Sequence, residues 1–216
     1  MNLMKLQIAI DRVPLTKARA LMKQLAPFAD ILEAGTSLIK DYGVTALGDL
    51  KEAVSDTQLL GDIKTIDEGA YEFRQGYRHG ADLLTVMGAS SVETIRKCYE
   101  VAEEYGKEMM IDLLECTPKK VEEIIQFPNA IYCLHTSVDQ GATADPNGDV
   151  LTFKKAFPSV KRIAIAGGIN LTTAAALSAS APEIVIVGSG ITKAEDPIQV
   201  AKQFRKVMEE QCKFSM

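Results

Sequence analysis

Two acids and a lysine follow a short apolar segment in the first third of the sequence. Asp62, Lys64 and Asp67 have the order Asp-x-Lys-x-x-Asp and follow Leu59-Leu60-Gly61. Side chains two residues apart in a strand share a face, so Asp62 and Lys64 are expected to point the same way. Charges on an interior face need a partner or a ligand, because their burial is otherwise costly. The pattern indicates a site for a small anionic ligand, or else an ion pair at the end of a sheet.

Eight short apolar segments recur along the chain, each followed by a helix-like segment. Their last residues are 21 to 31 positions apart. This repeated unit, with no linker or change of composition, predicts a single-domain (β/α)8 TIM barrel over residues 1–216. An open doubly wound sheet is the alternative, but its dinucleotide-binding glycine pattern is missing after the first segment. The predicted strands are Leu6–Asp11, Asp30–Gly35, Leu59–Lys64, Asp82–Met87, Glu108–Leu113, Ala130–Leu134, Arg162–Ala166 and Glu183–Val187.

Helices are predicted between these strands from apolar periodicity and from proline and glycine at the segment ends. One irregular segment interrupts the alternation, because Thr136–Gly148 contains two glycines and a proline. The predicted helices include Val44–Val54, Tyr71–His79, Pro118–Ile125 and Val150–Ala156, and a final amphipathic helix opens at Asp196-Pro197.

Four acids are expected at the carboxyl ends of the strands, where barrels of this kind carry their chemistry. These are Asp11, Glu33, Asp62 and Asp112. Acids that crowd together repel, so Glu33 and Asp62 indicate either a divalent cation between them or neutralisation by Lys64. Oxygen ligands of this type suit Mg²⁺ or Mn²⁺. Asp112 is the weakest candidate and could be a metal ligand, a lysine partner or a strand-end charge.

Two glycine-rich turns follow the last two strands. They contain Gly167-Gly168 and Gly188-Ser189-Gly190. Barrels often bind phosphate at this place, through exposed backbone N–H groups and a helix N-terminus. Glycine also simply permits tight turns, but two such turns at these two strands favour a phosphate site.

The chain has two histidines. His79 stands beside Gly80 at a predicted helix end, so a structural or solvent-facing role is expected for it. His135 ends an apolar strand above the predicted site, and its position alone fits a functional residue and a buried structural histidine equally well.

Composition excludes several classes of function. The net charge of −5 and the absence of a basic cluster argue against nucleic-acid binding. No apolar run approaches 18 residues, and the first residues lack the core of a signal peptide, so we expect a cytoplasmic protein that does not span a membrane. The four cysteines, Cys98, Cys116, Cys133 and Cys212, have no zinc-site spacing and are expected to be reduced.

The motif Asp62-Ile63-Lys64-Thr65-Ile66-Asp67 and several other parts of the chain are similar to one family of enzymes. Together with Asp11, Glu33, the two glycine turns and His135-Thr136-Ser137-Val138-Asp139-Gln140, it closely resembles the 3-hexulose-6-phosphate synthases. That family belongs to the orotidine 5′-phosphate decarboxylase suprafamily, whose mark is the Asp-x-Lys-x-x-Asp motif. The resemblance extends from Leu6 to the last helix. The motif is specific to the suprafamily, not to one reaction, since 3-keto-L-gulonate-6-phosphate decarboxylases share it.

The resemblance implies a role for each of these residues. Glu33 and Asp62 would be Mg²⁺ ligands, with Mn²⁺ possible in its place. Lys64 would stabilise an enediolate, His135 would move protons, and Asp11 would belong to the catalytic set. Asp67 would reach into the site of a partner subunit, which implies a homodimer with shared sites. The phosphate would be held by Gly168, Gly188 and Ser189.

The implied reaction is the aldol condensation of formaldehyde with D-ribulose 5-phosphate to D-arabino-hex-3-ulose 6-phosphate. The decarboxylases resemble this chain but carry arginine three residues after the histidine. Here that position is Val138, which cannot donate a side-chain hydrogen bond, and this favours the synthase. A non-catalytic sugar-phosphate-binding barrel is the remaining alternative, although binding alone would not need a lysine among acids.

Overall fold

Eight parallel strands form a closed barrel in the computed structural model, which describes residues 4–54, 56–136 and 145–213. Each strand pairs with its neighbours in sequence order, and β8 pairs with β1 to close the barrel. The predicted (β/α)8 architecture is therefore confirmed. The strands are β1 Lys5–Ile10, β2 Ile31–Ala34, β3 Gln58–Thr65, β4 Leu83–Met87, β5 Glu108–Asp112, β6 Ile131–His135, β7 Ile163–Ala166 and β8 Ile184–Val187.

The helices lie outside the strands and pack on them through one continuous apolar layer. Phe73 and Phe204 are among the largest side chains that this layer buries completely. The helices are α1 Leu15–Leu25, α2 Thr36–Tyr42, α3 Ala46–Ala53, α4 Gly69–Arg78, α5 Val92–Tyr105, α6 Pro118–Ile124, α7 Pro146–Ala156, α8 Leu171–Ala176, α9 Ser189–Thr192 and α10 Pro197–Lys213. Within the described residues, no helix is long and apolar enough to cross a membrane.

Alternate residues of each strand face the interior of the barrel, as strand geometry requires. An apolar plug in the middle includes Ile31, Leu83, Ile131 and Ile184, one residue from every second strand. Below it, polar side chains at the amino-terminal ends of β3, β5, β7 and β8 meet. Glu108 accepts a hydrogen bond from Gln58 and pairs with Arg162, whose guanidinium also binds Glu183. The amino-terminal end of the barrel is thus closed by an ionic layer, and the opposite end is left for the site.

The structure corrects some predicted elements. Helix α7 begins at Pro146, four residues before the predicted start, because the Asp145 side chain accepts a hydrogen bond from the N–H of Gly148 and caps the helix. The short helices α2, α8 and α9 were not predicted. Residues 137–144, the larger part of the predicted irregular segment, lie outside the described residues. The thiols of Cys98, Cys116 and Cys133 are free, as expected.

Candidate active site

A cavity of about 580 Å³ opens at the carboxyl ends of the strands. Most of the residues predicted to form the site line it, although they are far apart in sequence. They are Asp11, Glu33, Asp62, Lys64, Asp112, His135, Gly168, Gly188 and Ser189. The closed barrel therefore brings together all the predicted site residues except Asp67.

Strand β3 carries Asp62 and Lys64 into the cavity through a break in its pairing with β4. Gly61 pairs with Leu84 and Thr65 pairs with Val86, so β3 has two more residues than β4 across this stretch. Lys64 has a φ of +46°, a left-handed conformation that is unusual for a lysine. Regular strand alternation predicted that Asp62 and Lys64 would face the same way. Both do face the cavity, but they do so because the backbone of β3 forms a bulge.

Asp112 joins Lys64 to His135. Its carboxylate accepts hydrogen bonds from Lys64 Nζ at 2.5 Å and from His135 Nδ1 at 2.9 Å. Burial raises the pKa of Asp112, but the bond from His135 and the charge of Lys64 outweigh this and bring it down to about 2. An ionised Asp112 requires Nδ1 to carry the proton, which leaves Nε2 of His135 as the ring nitrogen free to accept one. Of the three roles considered for Asp112, the structure gives that of lysine partner.

Lys64 remains an ammonium ion in this setting. Burial lowers its pKa, but the charges of Asp62, 3.3 Å away, and of Asp112 raise it above its ordinary value overall. A permanently charged lysine can stabilise negative charge that develops on a ligand, but it cannot act as a base near neutral pH.

Glu33 and Asp62 form a crowded pair of buried carboxyl groups. Burial and the charge of Asp62 raise the pKa of Glu33 to about 8, although Gln7 Nε2 donates a hydrogen bond to it at 2.6 Å. Asp62 accepts hydrogen bonds from the hydroxyl groups of Thr36 and Thr85. Two buried acids in contact with the cavity invite a positive charge between them.

The donor set of this pair fits Mg²⁺. Among the described residues, no group of three or more His, Cys, Asp or Glu side chains is arranged to hold a metal ion. Glu33 and Asp62 alone would leave most positions of an octahedral ion open, which suits an ion that keeps waters and binds substrate oxygens. Oε1 of Gln7 is buried and has no hydrogen-bond partner among the described residues, and Gln7 lines the same cavity. This orphaned oxygen is a further sign that a polar species belongs there.

Asp11 is held at the mouth of the cavity by the first turn of α2. Its carboxylate accepts hydrogen bonds from Ser37, through the backbone N–H at 3.1 Å and the hydroxyl at 2.7 Å. Gly35 makes this approach possible, since a Cβ there would lie 2.1 Å from an Asp11 oxygen. This anchoring could not be predicted, because α2 is too short to show a clear helical period.

The two glycine turns border the cavity next to each other. Gly167 and Gly168 have φ of +100° and +64°, a conformation that favours glycine. A Cβ added to Gly168 would meet nothing within 4 Å, so its backbone is open to the cavity. Ser189 and Gly190 then begin α9, and both border the cavity. Backbone N–H groups of such turns can bind an anion, and the phosphate site stays a prediction.

Asp67 lies outside this cavity. It is exposed in the loop between β3 and α4, where its carboxylate accepts a hydrogen bond from the N–H of Glu68. Two large apolar side chains beside it, Ile66 and Tyr71, are 57% and 63% exposed. Asp67 is therefore not part of its own subunit's cavity, a position that is compatible with the predicted contribution to a partner. Val138, on which the choice of reaction depended, lies outside the described residues.

Three supporting residues were missed by sequence reasoning: Gln7, Thr36 and Thr85. Each donates a hydrogen bond to Glu33 or Asp62. Gln7 carried a usable signal, because a glutamine within an apolar strand needs a partner. The threonines carried none, since threonine is common in strands and at helix starts.

Comparison with known proteins places the whole chain among enzymes of sugar-phosphate chemistry. Residues 4–204 match the family described as orotidine 5′-phosphate decarboxylase / HUMPS. The 3-hexulose-6-phosphate synthase of Staphylococcus haemolyticus is 32% identical over 95% of this chain and 99% of its own length. That of Bacillus subtilis is also 32% identical, with the same coverage.

Solved structures give the same family. The 3-hexulose-6-phosphate synthase of Salmonella typhimurium superposes with a TM-score of 0.89 at 34% identity, over 96% of this chain and 100% of that one. The 3-keto-L-gulonate-6-phosphate decarboxylase of Vibrio cholerae superposes with a TM-score of 0.84 at 27% identity, over 97% and 99%. Both reaction types thus occur among the structural neighbours.

Proposed function

Because the chain belongs to the orotidine 5′-phosphate decarboxylase / HUMPS family, we propose that it condenses formaldehyde with D-ribulose 5-phosphate to form D-arabino-hex-3-ulose 6-phosphate. The observation that carries this proposal is the Lys64–Asp112–His135 chain beside two buried carboxylates and a phosphate-type glycine turn in one cavity. These are the groups that an enediolate reaction of a sugar phosphate requires. The named relatives at about 32% identity are synthases.

The substrate would be oriented by its phosphate. The open backbone at Gly168 and the turn at Gly188 and Ser189 would bind this group on one side of the mouth. The carbonyl end of ribulose 5-phosphate then extends toward Glu33, Asp62 and Lys64. Asp11, which accepts a hydrogen bond from Ser37, would accept others from substrate hydroxyl groups.

Glu33 and Asp62 would hold Mg²⁺, or Mn²⁺ in its place. When bound, this ion supplies Lewis acidity that polarises the substrate carbonyl and neutralises the two carboxylates. The support for it is the chemistry of the donor pair. Burial, together with the charge of Asp62, raises the pKa of Glu33 to about 8.

The protein's own groups would move the proton and stabilise the negative charge. Nε2 of His135 accepts a proton from C1 of ribulose 5-phosphate, while Asp112 stabilises the imidazolium that forms. The Lys64 ammonium stabilises the enediolate by its charge. C1 then forms a bond to the formaldehyde carbon, and the former formaldehyde oxygen takes up a proton to become a hydroxyl group.

A homodimer with shared sites is part of the proposal. Asp67 is exposed beside Ile66 and Tyr71, whose exposed apolar surface suits a contact between subunits. Across such a contact, Asp67 would add its carboxylate to the cavity of the partner.

Decarboxylation of 3-keto-L-gulonate 6-phosphate is the second candidate, and the Vibrio cholerae neighbour favours it. That reaction ends with proton delivery to the enediolate, for which the decarboxylases use an arginine. Val138 takes that position here and cannot serve it. A non-catalytic sugar-phosphate-binding protein is less well supported, because the Lys64–Asp112–His135 chain has no purpose in binding alone.

Exchange of the C1 proton of ribulose 5-phosphate with solvent deuterium tests the proposal without formaldehyde. We expect Mg²⁺-dependent exchange, and consumption of formaldehyde when it is added. Lys64→Met and His135→Asn should each lose both activities. A protein that binds ribulose 5-phosphate but neither exchanges the proton nor consumes formaldehyde would be a binding protein.

A further inference from the structure

Thr85 lies in the middle of β4, next to the bulge of β3. It is 3% exposed, and its hydroxyl group makes two hydrogen bonds. It accepts one from the backbone N–H of Lys64 at 2.9 Å and donates one to Asp62 Oδ1 at 2.7 Å. A single hydroxyl group thus connects the two charged residues of β3 that face the cavity.

The bulge creates a need for this hydroxyl group. Between the pairs Gly61–Leu84 and Thr65–Val86, the extra residues of β3 have no matching carbonyl groups on β4. The N–H of Lys64 would be unsatisfied there, and a buried unsatisfied N–H is costly. Thr85 supplies the missing acceptor from its side chain.

The same bond supports an unfavourable backbone conformation. Lys64 has a φ of +46°, where a lysine is strained. Such conformations persist only when the surrounding structure holds them in place. Because the Thr85 hydroxyl also binds Asp62, it fixes the relative position of the Lys64 backbone and the Asp62 carboxylate.

We propose that Thr85 is a positioning residue, whose hydroxyl group holds the left-handed bulge at Lys64 in register with Asp62 so that ammonium and carboxylate face the substrate together. It acts through Lys64 and Asp62, the two residues to which its hydroxyl group is hydrogen-bonded. The kinetic part of this inference rests on the proposed function, whereas the structural part does not.

Thr36 provides an internal comparison. Its hydroxyl group also donates to Asp62, at the other oxygen, but makes no bond to the backbone of β3 among the contacts of the described residues. If Thr85 mattered only as a donor to Asp62, the two threonines would be equivalent. If it holds the bulge, only Thr85 should affect the Lys64 backbone.

The test uses Thr85→Val, which keeps the shape of the side chain but removes the hydroxyl group. Thr85→Ser restores the hydroxyl group, and Thr36→Val removes the other donor to Asp62. Thr65→Val is the matched control, because Thr65 is equally buried in β3 but binds Glu72 and does not line the cavity. Three quantities are measured in each variant: the hydrogen-exchange rate of the Lys64 amide, and kcat and KM for ribulose 5-phosphate.

Thr85→Val should accelerate exchange of the Lys64 amide by at least about tenfold, and Thr36→Val should leave it unchanged. The kcat of Thr85→Val should fall roughly 10- to 100-fold, since a displacement of about 1 Å in a catalytic group can cost that much. KM should change less than about threefold, because the phosphate turns are on other strands. Thr85→Ser should recover most of the loss of kcat, and Thr65→Val should keep kcat near the wild-type value.

Unchanged Lys64 exchange in folded Thr85→Val would overturn the inference, whatever the kinetics. Equal losses of kcat in Thr85→Val and Thr65→Val would reduce Thr85 to an ordinary buried threonine. If the wild-type protein proved inactive with ribulose 5-phosphate, the proposed function would fail, yet amide exchange would still decide the structural role. Should Thr85→Val not fold, Thr85→Ala and Thr85→Ser are compared by the same exchange measurement.

Discussion

Replacing Asp112 by asparagine removes the charge that both Lys64 and His135 use. The carboxylate accepts from Lys64 Nζ, from His135 Nδ1 and from the N–H of Leu114, and it is buried. An asparagine offers one oxygen and one NH₂ group in its place. The NH₂ group would face a donor, so at least one of the three bonds must be lost.

The effect on stability follows from the pKa of Asp112. Burial raises this pKa, but His135 and Lys64 reduce it from 3.8 to about 2. A shift of this size stabilises the folded state by about 2 kcal/mol when the carboxyl group is ionised. Because the folded pKa is the lower one, this contribution is complete above pH 4 and is lost as the pH falls toward 2. Asp112→Asn should therefore lower the free energy of unfolding by about 2 kcal/mol at pH 7. Its difference from the wild-type protein should shrink below pH 4.

The effect on catalysis should be larger. Without the carboxylate, His135 loses the group that fixes its tautomer and stabilises its protonated form, and Lys64 loses its nearest anion. Orienting groups of this kind change a rate by about 10²-fold or more. We expect kcat for C1 proton exchange of ribulose 5-phosphate to fall by that factor, with little change in KM.

Asp82→Asn is the matched control for this measurement. Asp82 accepts hydrogen bonds from Lys51 and Lys107 outside the cavity, and its pKa is also lowered overall, although burial raises it. The control should lose stability at neutral pH and keep its kcat. The reasoning would be refuted if Asp112→Asn kept kcat within about threefold of wild type while urea unfolding showed it to be folded.

Three other outcomes are expected. Excess EDTA should abolish activity and Mg²⁺ or Mn²⁺ restore it, while Ca²⁺, with its longer bonds, should serve poorly; full activity in EDTA would remove the metal from the account. Inactive Asp67→Ala and Lys64→Ala proteins, mixed equally, should regain about a quarter of wild-type activity, since half of the dimers carry one intact site; confirmed subunit exchange without activity would place Asp67 elsewhere. Arg162→Met should lower the free energy of unfolding by about 1–3 kcal/mol in urea, because it strands Glu108 and Glu183 at the far end of the barrel, and leave kcat unchanged.

The sequence predicted the strands, and those site residues whose place in the barrel follows from their position at a strand end. Apolar segments spaced 21 to 31 residues apart defined all eight strands, and six of the eight strand-end residues line the cavity. The other two, Val86 and Val187, are buried in the apolar layer. Glu33 and His135 could be predicted in this way, because a barrel brings all strand ends to one place.

Side-chain contacts between different strands could not be predicted from the sequence in this way. The bulge at Lys64 has no glycine or asparagine to mark its left-handed backbone, and the role of Thr85 depends on the register of β4 against that bulge. The role of Asp112 depends on the reach of Lys64 across two strands. The start of helix α7 does carry a sequence signal, because Asp145-Pro146 has the same form as Asp196-Pro197, which opens the last helix. The two glycines of Thr136–Gly148 obscure this signal.

The central claim is that this cavity condenses formaldehyde with ribulose 5-phosphate. Its most direct test compares two initial rates on one preparation with Mg²⁺: formaldehyde consumption with D-ribulose 5-phosphate, and CO₂ release from 3-keto-L-gulonate 6-phosphate. We expect kcat/KM for condensation to exceed that for decarboxylation by at least about tenfold, because Val138 provides no donor for the final protonation. Faster decarboxylation, or no condensation by a protein that exchanges the C1 proton, would contradict the assignment.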